Sequence, residues 1–410
     1  MTAVSGSSRA AGDSHTPGST VDEDVRVARA GLMRVAEPES LMLSAFVEHL
    51  GPLVAWERIC NGNVPMPVRK VVGPRSAETG AREMWARAEM DLLAADRCGA
   101  RLVIPEDGGW PTAVMGGFAA ASDMLPPLGL WVRGGALLPG PWGAVTVVGS
   151  RASTPYGARV AAELAGGLAA AGRCVVSGAA FGIDAAAHRG ALATNDFGGA
   201  GPVTLAVLAC GIDRAYPSAH EVLLDAIAER GAVVSEYPPG TTPARHRFLV
   251  RNRLIAAFGE ATVVVEAGRR SGSTATFRAA RELNRVVAAV PGPVTSALSA
   301  GCHELIANEG ALLVTGAADV LGLLAGGPGV VAKEPGSAEV RPTDKLSAES
   351  AVVYEALPAR GSRDLSALAE EAGLFADDTL AALAELELLG MATRDGANWR
   401  RVRAVVARRV

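Results

Sequence analysis

The chain has 410 residues, a formal net charge of −4, and 49% hydrophobic against 20% charged residues. That length suits two or three domains with one sizeable core, and that balance excludes a disordered chain. No uninterrupted apolar run reaches about 18 residues, so no membrane span is expected.

Residues 1–24 are polar, lack the apolar centre of a signal peptide, and are expected to form a disordered leader. Over 25–90, Leu, Val, Ala and Met recur at helical spacing, broken at HLG and NGNVPMP. This predicts a small helical domain, of SAM/HhH-like type. Residues 91–142 read as a connecting segment: a short strand in ARLVIP, a Trp-Pro turn, a helix, and a strand in LGLWVRG that joins the sheet of the next domain.

From Gly143 the period changes. AVTVVGS, RCVVSGAA, VTLAVLACG, AVVSEYP, ATVVVEAG, RVVAAVPG and ALLVTG read as strands. The segments between them carry helical spacing. Continuous Val/Ile/Ala strands alternating with helices predict an α/β domain over 143–325 with a parallel sheet covered on both faces. Residues 326–346 are rich in Gly, Pro, Ser and charge and predict a linker. Residues 347–410 give helix, turn, helix and a closing hairpin, the pattern of a winged helix.

In open α/β sheets, ligands gather at the carboxyl ends of strands. The residues there are Gly149-Ser150-Arg151, Ser177-Gly178 followed by Gly182, Gly211, and Ser271-Gly272-Ser273. Small residues let backbone N–H groups approach an anion, and serines add donors. Arg151 stands where a dinucleotide fingerprint would place its second glycine, and its guanidinium fork suits phosphate. Between Arg245 and Arg285 nine arginines face three glutamates, a local cationic belt on a mildly acidic protein. Within RHRFLVRNRLIAAF, Phe248, Arg251 and Asn252 share one helical face, with Arg245 a turn earlier. An aromatic beside guanidinium and amide groups can stack a base while holding its backbone. Packing of Phe248 in the core with solvated arginines is the alternative.

Asp184 and His188 sit at i, i+4, but no third ligand accompanies them, and Asp184 suits the first turn of a helix. No metal or cofactor is expected. Neither a G-x-x-x-x-G-K-[ST] loop nor a G-x-S-x-G elbow occurs, so no catalytic residue is assigned. The five cysteines (Cys60, Cys98, Cys174, Cys210 and Cys302) form no C-x-x-C pair and suit a reducing, cytoplasmic setting.

In order, VVGSRAST-x-YG, VVSGAAFGIDAAAHRGAL, VLACGIDRAYP, SEYPPG, FLVRNRLIAAF, VVEAGRRSGSTATFRAARELNR and AVPGPVTSALSAGCHELIANEGA resemble the DNA-processing protein A (DprA/Smf) family. The resemblance implies an extended Rossmann-like domain that binds single-stranded DNA, largely without sequence preference. It also implies a homodimer, and hand-over of the strand to the RecA recombinase in natural transformation. It places DNA contacts on Arg151, Phe248, Arg251 and Arg253, with Arg245 where a lysine is common. The Ser-Gly and Gly-Ser turns fall on Ser177-Gly178 and Gly272-Ser273. Cys302 and Leu249 depart from the family's usual asparagine and proline.

Two other readings compete. Cytokinin-activating nucleotide phosphoribohydrolases share a related fold, but Ala275 and Thr276 stand where their catalytic glutamate belongs. A winged-helix regulator with a ligand-sensing sheet domain would need a cationic reading helix. The second helix here, ADDTLAALAELELLG, carries Asp377, Asp378, Glu385 and Glu387 and no lysine or arginine. That module is therefore expected to contact protein, with Arg394, Arg400, Arg401, Arg403, Arg408 and Arg409 left to touch a nucleic-acid backbone.

Overall fold

The computed structural model describes residues 22–76, 80–140, 143–195, 201–269, 271–326 and 346–402. These divide into two compact units, one ending before and one beginning after the segment 327–345. The expected leader up to residue 21, nearly all of the expected linker, and Arg403, Arg408 and Arg409 lie outside the described residues.

The first unit opens with five helices. α1 (Glu23–Val35) starts where the Asp22 side chain accepts from Asp24 N, and Glu23 and Asp24 suit the positive end of its dipole. Ser40 caps α2 (Leu41–Leu50), accepting from Leu43 N at 3.4 Å. Gly51, at φ 77°, separates it from α3 (Pro52–Cys60), which opens on proline. The break at NGNVPMP runs into the first turn of α4 (Met66–Ser76), and α5 (Ala81–Arg97) closes the bundle. Leu32, Leu43 and Trp56 fill its centre, in one cluster with Leu208, Ile227 and Val233 of the sheet region. The bundle and the sheet therefore share a core.

The chain then lays down β1 (Ala100–Val103), α6 (Thr112–Met115), β2 (Leu130–Arg133), β3 (Ala144–Val148), α7 (Pro155–Ala170), β4 (Cys174–Ser177), α8 (Ile183–Leu192), β5 (Thr204–Leu208), α9 (Glu221–Arg230) and β6 (Ala232–Ser235). After them come α10 (Arg245–Phe258), β7 (Ala261–Val264), α11 (Ser273–Glu282), β8 (Val286–Ala289), α12 (Ala300–Asn308), β9 (Leu312–Leu313) and α13 (Ala317–Leu324). All nine strands join one sheet in the order β1-β2-β6-β5-β4-β3-β7-β8-β9. The seven strands from β3 onward pair in parallel, as their alternation with helices requires. β1 pairs antiparallel with β2, and β2 pairs antiparallel with β6 at that end of the sheet.

Every residue of β3 and β5 is buried, which is why these strands are apolar without alternation. Leu254, Phe258 and Phe277 of α10 and α11 cover one face. Leu164, Leu168 and Ile183 of α7 and α8 cover the other, with Val320 of α13. From β3 the chain builds outward through β4, β5 and β6, then returns to place β7 on the other side of β3. The crevice between the β3 and β7 ends is thus the topological switch point, where such sheets bind ligands.

The second unit contains α14 (Ala348–Ala356), β10 (Arg363–Asp364), α15 (Leu365–Ala372), α16 (Ala376–Leu388), β11 (Ala392–Asp395) and β12 (Asn398–Arg401). Its strands pair antiparallel in the order β10-β12-β11. Val353, Leu368, Leu383, Leu386 and Trp399 form its core.

Candidate nucleic-acid interface

The turn after β3 is held in place from below. Ser150 N donates to Glu266 O at 2.7 Å, and Val265 N donates to Val148 O at 3.0 Å. The buried Glu266 carboxylate accepts from Thr154 N at 2.9 Å and from the Thr154 hydroxyl at 2.5 Å. That hydroxyl in turn accepts from Gly157 N and caps α7. Gly182, at φ 77°, fits under the turn: a Cβ there would stand 2.2 Å from Ser150 O.

Above this support lies a groove of about 980 Å³. It brings together Gly149, Ser150 and Arg151 from the β3 turn, Arg245, Phe248, Arg251 and Asn252 from α10, and Ser271, Gly272 and Ser273 at the start of α11. Two helices present N-termini without side-chain caps here. α10 opens on Arg245, His246 and Arg247 with no acid in its first turn, and α11 opens beside Gly272. Cations at the positive end of a helix dipole are unfavourable by themselves, so an anion between these ends relieves both. The Ser271 and Ser273 hydroxyls stand 2.8 Å apart at the mouth.

Phe248 is half-buried, neither in the core nor free. The Arg151 guanidinium lies over its ring, 5.0 Å from the centroid, and the Tyr216 ring lies 5.3 Å away. Arg151 and Arg245 are exposed and, among the described residues, neither has an ion-pair partner. A half-buried and an exposed aromatic ring beside these two guanidinium groups can stack bases and neutralise phosphates together. Tyr216 is a functional candidate that sequence reasoning missed. Its only signal was an aromatic two residues past Arg214 in the loop that follows β5.

The other expected contacts are taken up by protein partners or lie outside the groove. Arg251 reaches the groove, but it is 5% exposed and donates to Gly178 O at 3.0 Å and to Val207 O, bracing the ends of β4 and β5. Burial pulls its pKa down to about 10, with Asp184 acting the other way and Arg151 adding to the fall. Gly178 makes room for that brace, because a Cβ would stand 2.6 Å from Arg251 Nη1. The Ser177 hydroxyl is buried and donates to Val147 O at 2.7 Å. Gly211 N donates to Thr241 O and lies outside the groove. Arg253 is 2% exposed, with Nη2 2.8 Å from Glu236 and its guanidinium 5.6 Å from the Phe118 ring.

Asp184 lies in the groove wall, and burial raises its pKa against the pull of Arg251. His188 Nδ1 sits 2.7 Å from the Thr204 hydroxyl in a fully buried site, which pushes its pKa down to about 3. Among the described residues, no group of three His, Cys, Asp or Glu gathers as a metal site would require.

Residues 101–325 match the family model described as DNA recombination-mediator protein A. A putative DNA processing protein DprA from Mycobacterium tuberculosis is 46% identical over 388 residues, covering 92% of this chain and 94% of that one. The X-ray structure of DNA processing protein A from Streptococcus pneumoniae superposes with a TM-score of 0.56 at 31% identity, covering 73% of this chain and 96% of that one. A Helicobacter pylori DNA processing protein A, described through its single-stranded DNA binding mode, matches at 28% identity and a TM-score of 0.46 over 51% of this chain and 92% of that one.

Proposed function

The chain belongs to the DNA recombination-mediator protein A family, and from that premise we propose that it processes DNA by binding single strands along the switch-point groove. The carrying observation is the stack of the unpaired Arg151 guanidinium on the half-buried Phe248 ring, with Tyr216 beside it. Bases stack on the two aromatics while Arg151, Arg245 and the open ends of α10 and α11 meet phosphates. Stacking on aromatic rings and contacts to phosphates carry no base identity, so binding is largely blind to sequence. A gel-shift comparison of oligo-dT with duplex of equal length tests this: preference for the single strand supports it, and equal or weaker binding refutes it.

The groove binds without breaking a bond. Ala275 and Thr276 line it where a phosphoribohydrolase needs a carboxylate. Its one buried acid, Asp184, accepts from Ala180 N at 3.4 Å and faces Arg251. Release of free base from nucleoside monophosphates would overturn this part of the proposal. Family membership also supports a homodimer acting in the cytoplasm that passes the strand to RecA, and the acidic residues of α16 support a second unit that contacts protein. Among the described residues no helix is long and apolar enough to cross a membrane.

A further inference from the structure

The loop between α1 and α2 reaches across to the binding helix. The Glu37 carboxylate holds Arg247 of α10 with both oxygens, 2.8 Å from Nη2 and 3.3 Å from Nε. His246 Nε2 lies 3.6 Å from the same group. Two residues on, Glu39 Oε1 lies 2.9 Å from Arg253 Nε, close enough for an ion pair though not aligned as a hydrogen bond. Arg253 is also gripped by Glu236, so its guanidinium is fixed between two carboxylates. Glu39 itself has φ 63°, a left-handed conformation that disfavours any residue with a Cβ and persists only where the surroundings hold it. Ser40, next in sequence, caps α2, and α1 and α2 contribute Leu32 and Leu43 to the bundle core.

Arg247 and Arg253 flank Phe248, Arg251 and Asn252, three of the α10 residues that line the groove. We infer that Glu37 and Glu39 are positioning residues, and that the N-terminal bundle is a splint that sets the angle of α10 for single-strand binding. The inference rests on reading the groove as a single-stranded DNA site. It carries a sign opposite to simple electrostatics. Two carboxylates near a polyanion repel it, so their removal should tighten binding if field alone matters. If they position the helix, their removal weakens binding.

The test uses the full chain with Glu37→Gln and Glu39→Gln together. Without DNA, amide hydrogen exchange across 245–258 should quicken about tenfold while that of α7 stays constant, as local opening of one element predicts. Unchanged exchange in α10 overturns the inference. Oligo-dT affinity should fall about fivefold with the salt slope unchanged, since no phosphate contact is lost. In a Phe248→Ala background the further loss should shrink, because residues acting through a shared group are not additive. Equal or tighter binding overturns the inference, as does a full fivefold loss on top of Phe248→Ala, which marks general loosening of the fold. If α10 exchange rises while the unsubstituted protein ignores oligo-dT, the splint is supported and the DNA reading fails.

Discussion

The rim and the floor of the groove use the same residue type for opposite ends. At the rim, Arg151 and Arg245 are exposed and have no carboxylate partner among the described residues, and Arg151 rests on Phe248. Beneath it, Arg251 is tied to the carbonyls of Gly178 and Val207, and Arg253, behind the groove lining, to Glu236 and Glu39. A guanidinium has five donors, and which of them remain for a ligand depends on what the fold has already placed beside them. Floor arginines stabilise the sheet edge, whereas rim arginines wait for phosphate.

This division is open to attack from both sides. The largest effect belongs to the floor: Arg253→Ala leaves Glu236 buried without its partner and should cost about 3–5 kcal/mol of stability, read by denaturant unfolding. A loss confined to DNA affinity would move Arg253 to the rim. Phe248→Ala should leave folding nearly intact and weaken oligo-dT binding by about 1–3 kcal/mol, read by fluorescence titration. Unfolding in place of weakened binding would make Phe248 a core residue.

The buried interior should also couple protonation to folding. His188 stays neutral in the folded state, with a pKa near 3 against an ordinary 6.5. Its contribution is complete above pH 6.5 and declines as pH falls toward 3, by up to about 1.4 kcal/mol per pH unit. Stability of His188→Asn measured over that window should fall less steeply; parallel curves would contradict the burial argument. The smallest effect concerns the second unit. Its α16 exposes Asp377, Asp378 and Glu387 with Leu388, a surface that phosphates repel. A chain ending at Lys345 should bind oligo-dT within about twofold of the whole protein, less than half a kcal/mol. Near-total loss would place the strand on the second unit.

Much of this architecture was legible from residues alone. The strands after Gly143 could be read because unbroken Val and Ala runs alternate with helical periods, and parallel pairing follows from the crossover lengths. The groove could be read as well, since Gly149-Ser150-Arg151 and Ser271-Gly272-Ser273 each follow a strand. What stayed hidden was long-range pairing. Nothing local distinguishes Arg245 from Arg251 or Arg253, because the carbonyls of Gly178 and Val207 that tie Arg251, and the Glu39 carboxylate beside Arg253, are brought in from distant segments. Ser177 and Gly182 looked like anion donors for the same reason, whereas their neighbours in space are the Val147 carbonyl and the Gly149-Ser150-Arg151 turn. Tyr216 escaped because the turn that brings it beside Phe248 depends on tertiary packing.

The central claim is that unpaired rim guanidinium groups neutralise a single strand. It is tested most directly by measuring oligo-dT affinity against salt for the full chain and for Arg151→Ala. The log–log slope should become shallower by about 0.7 on substitution, the share of one phosphate on a single strand. Identical slopes and affinities would remove Arg151 from the site, and no binding by the unsubstituted chain at physiological salt would contradict the account itself.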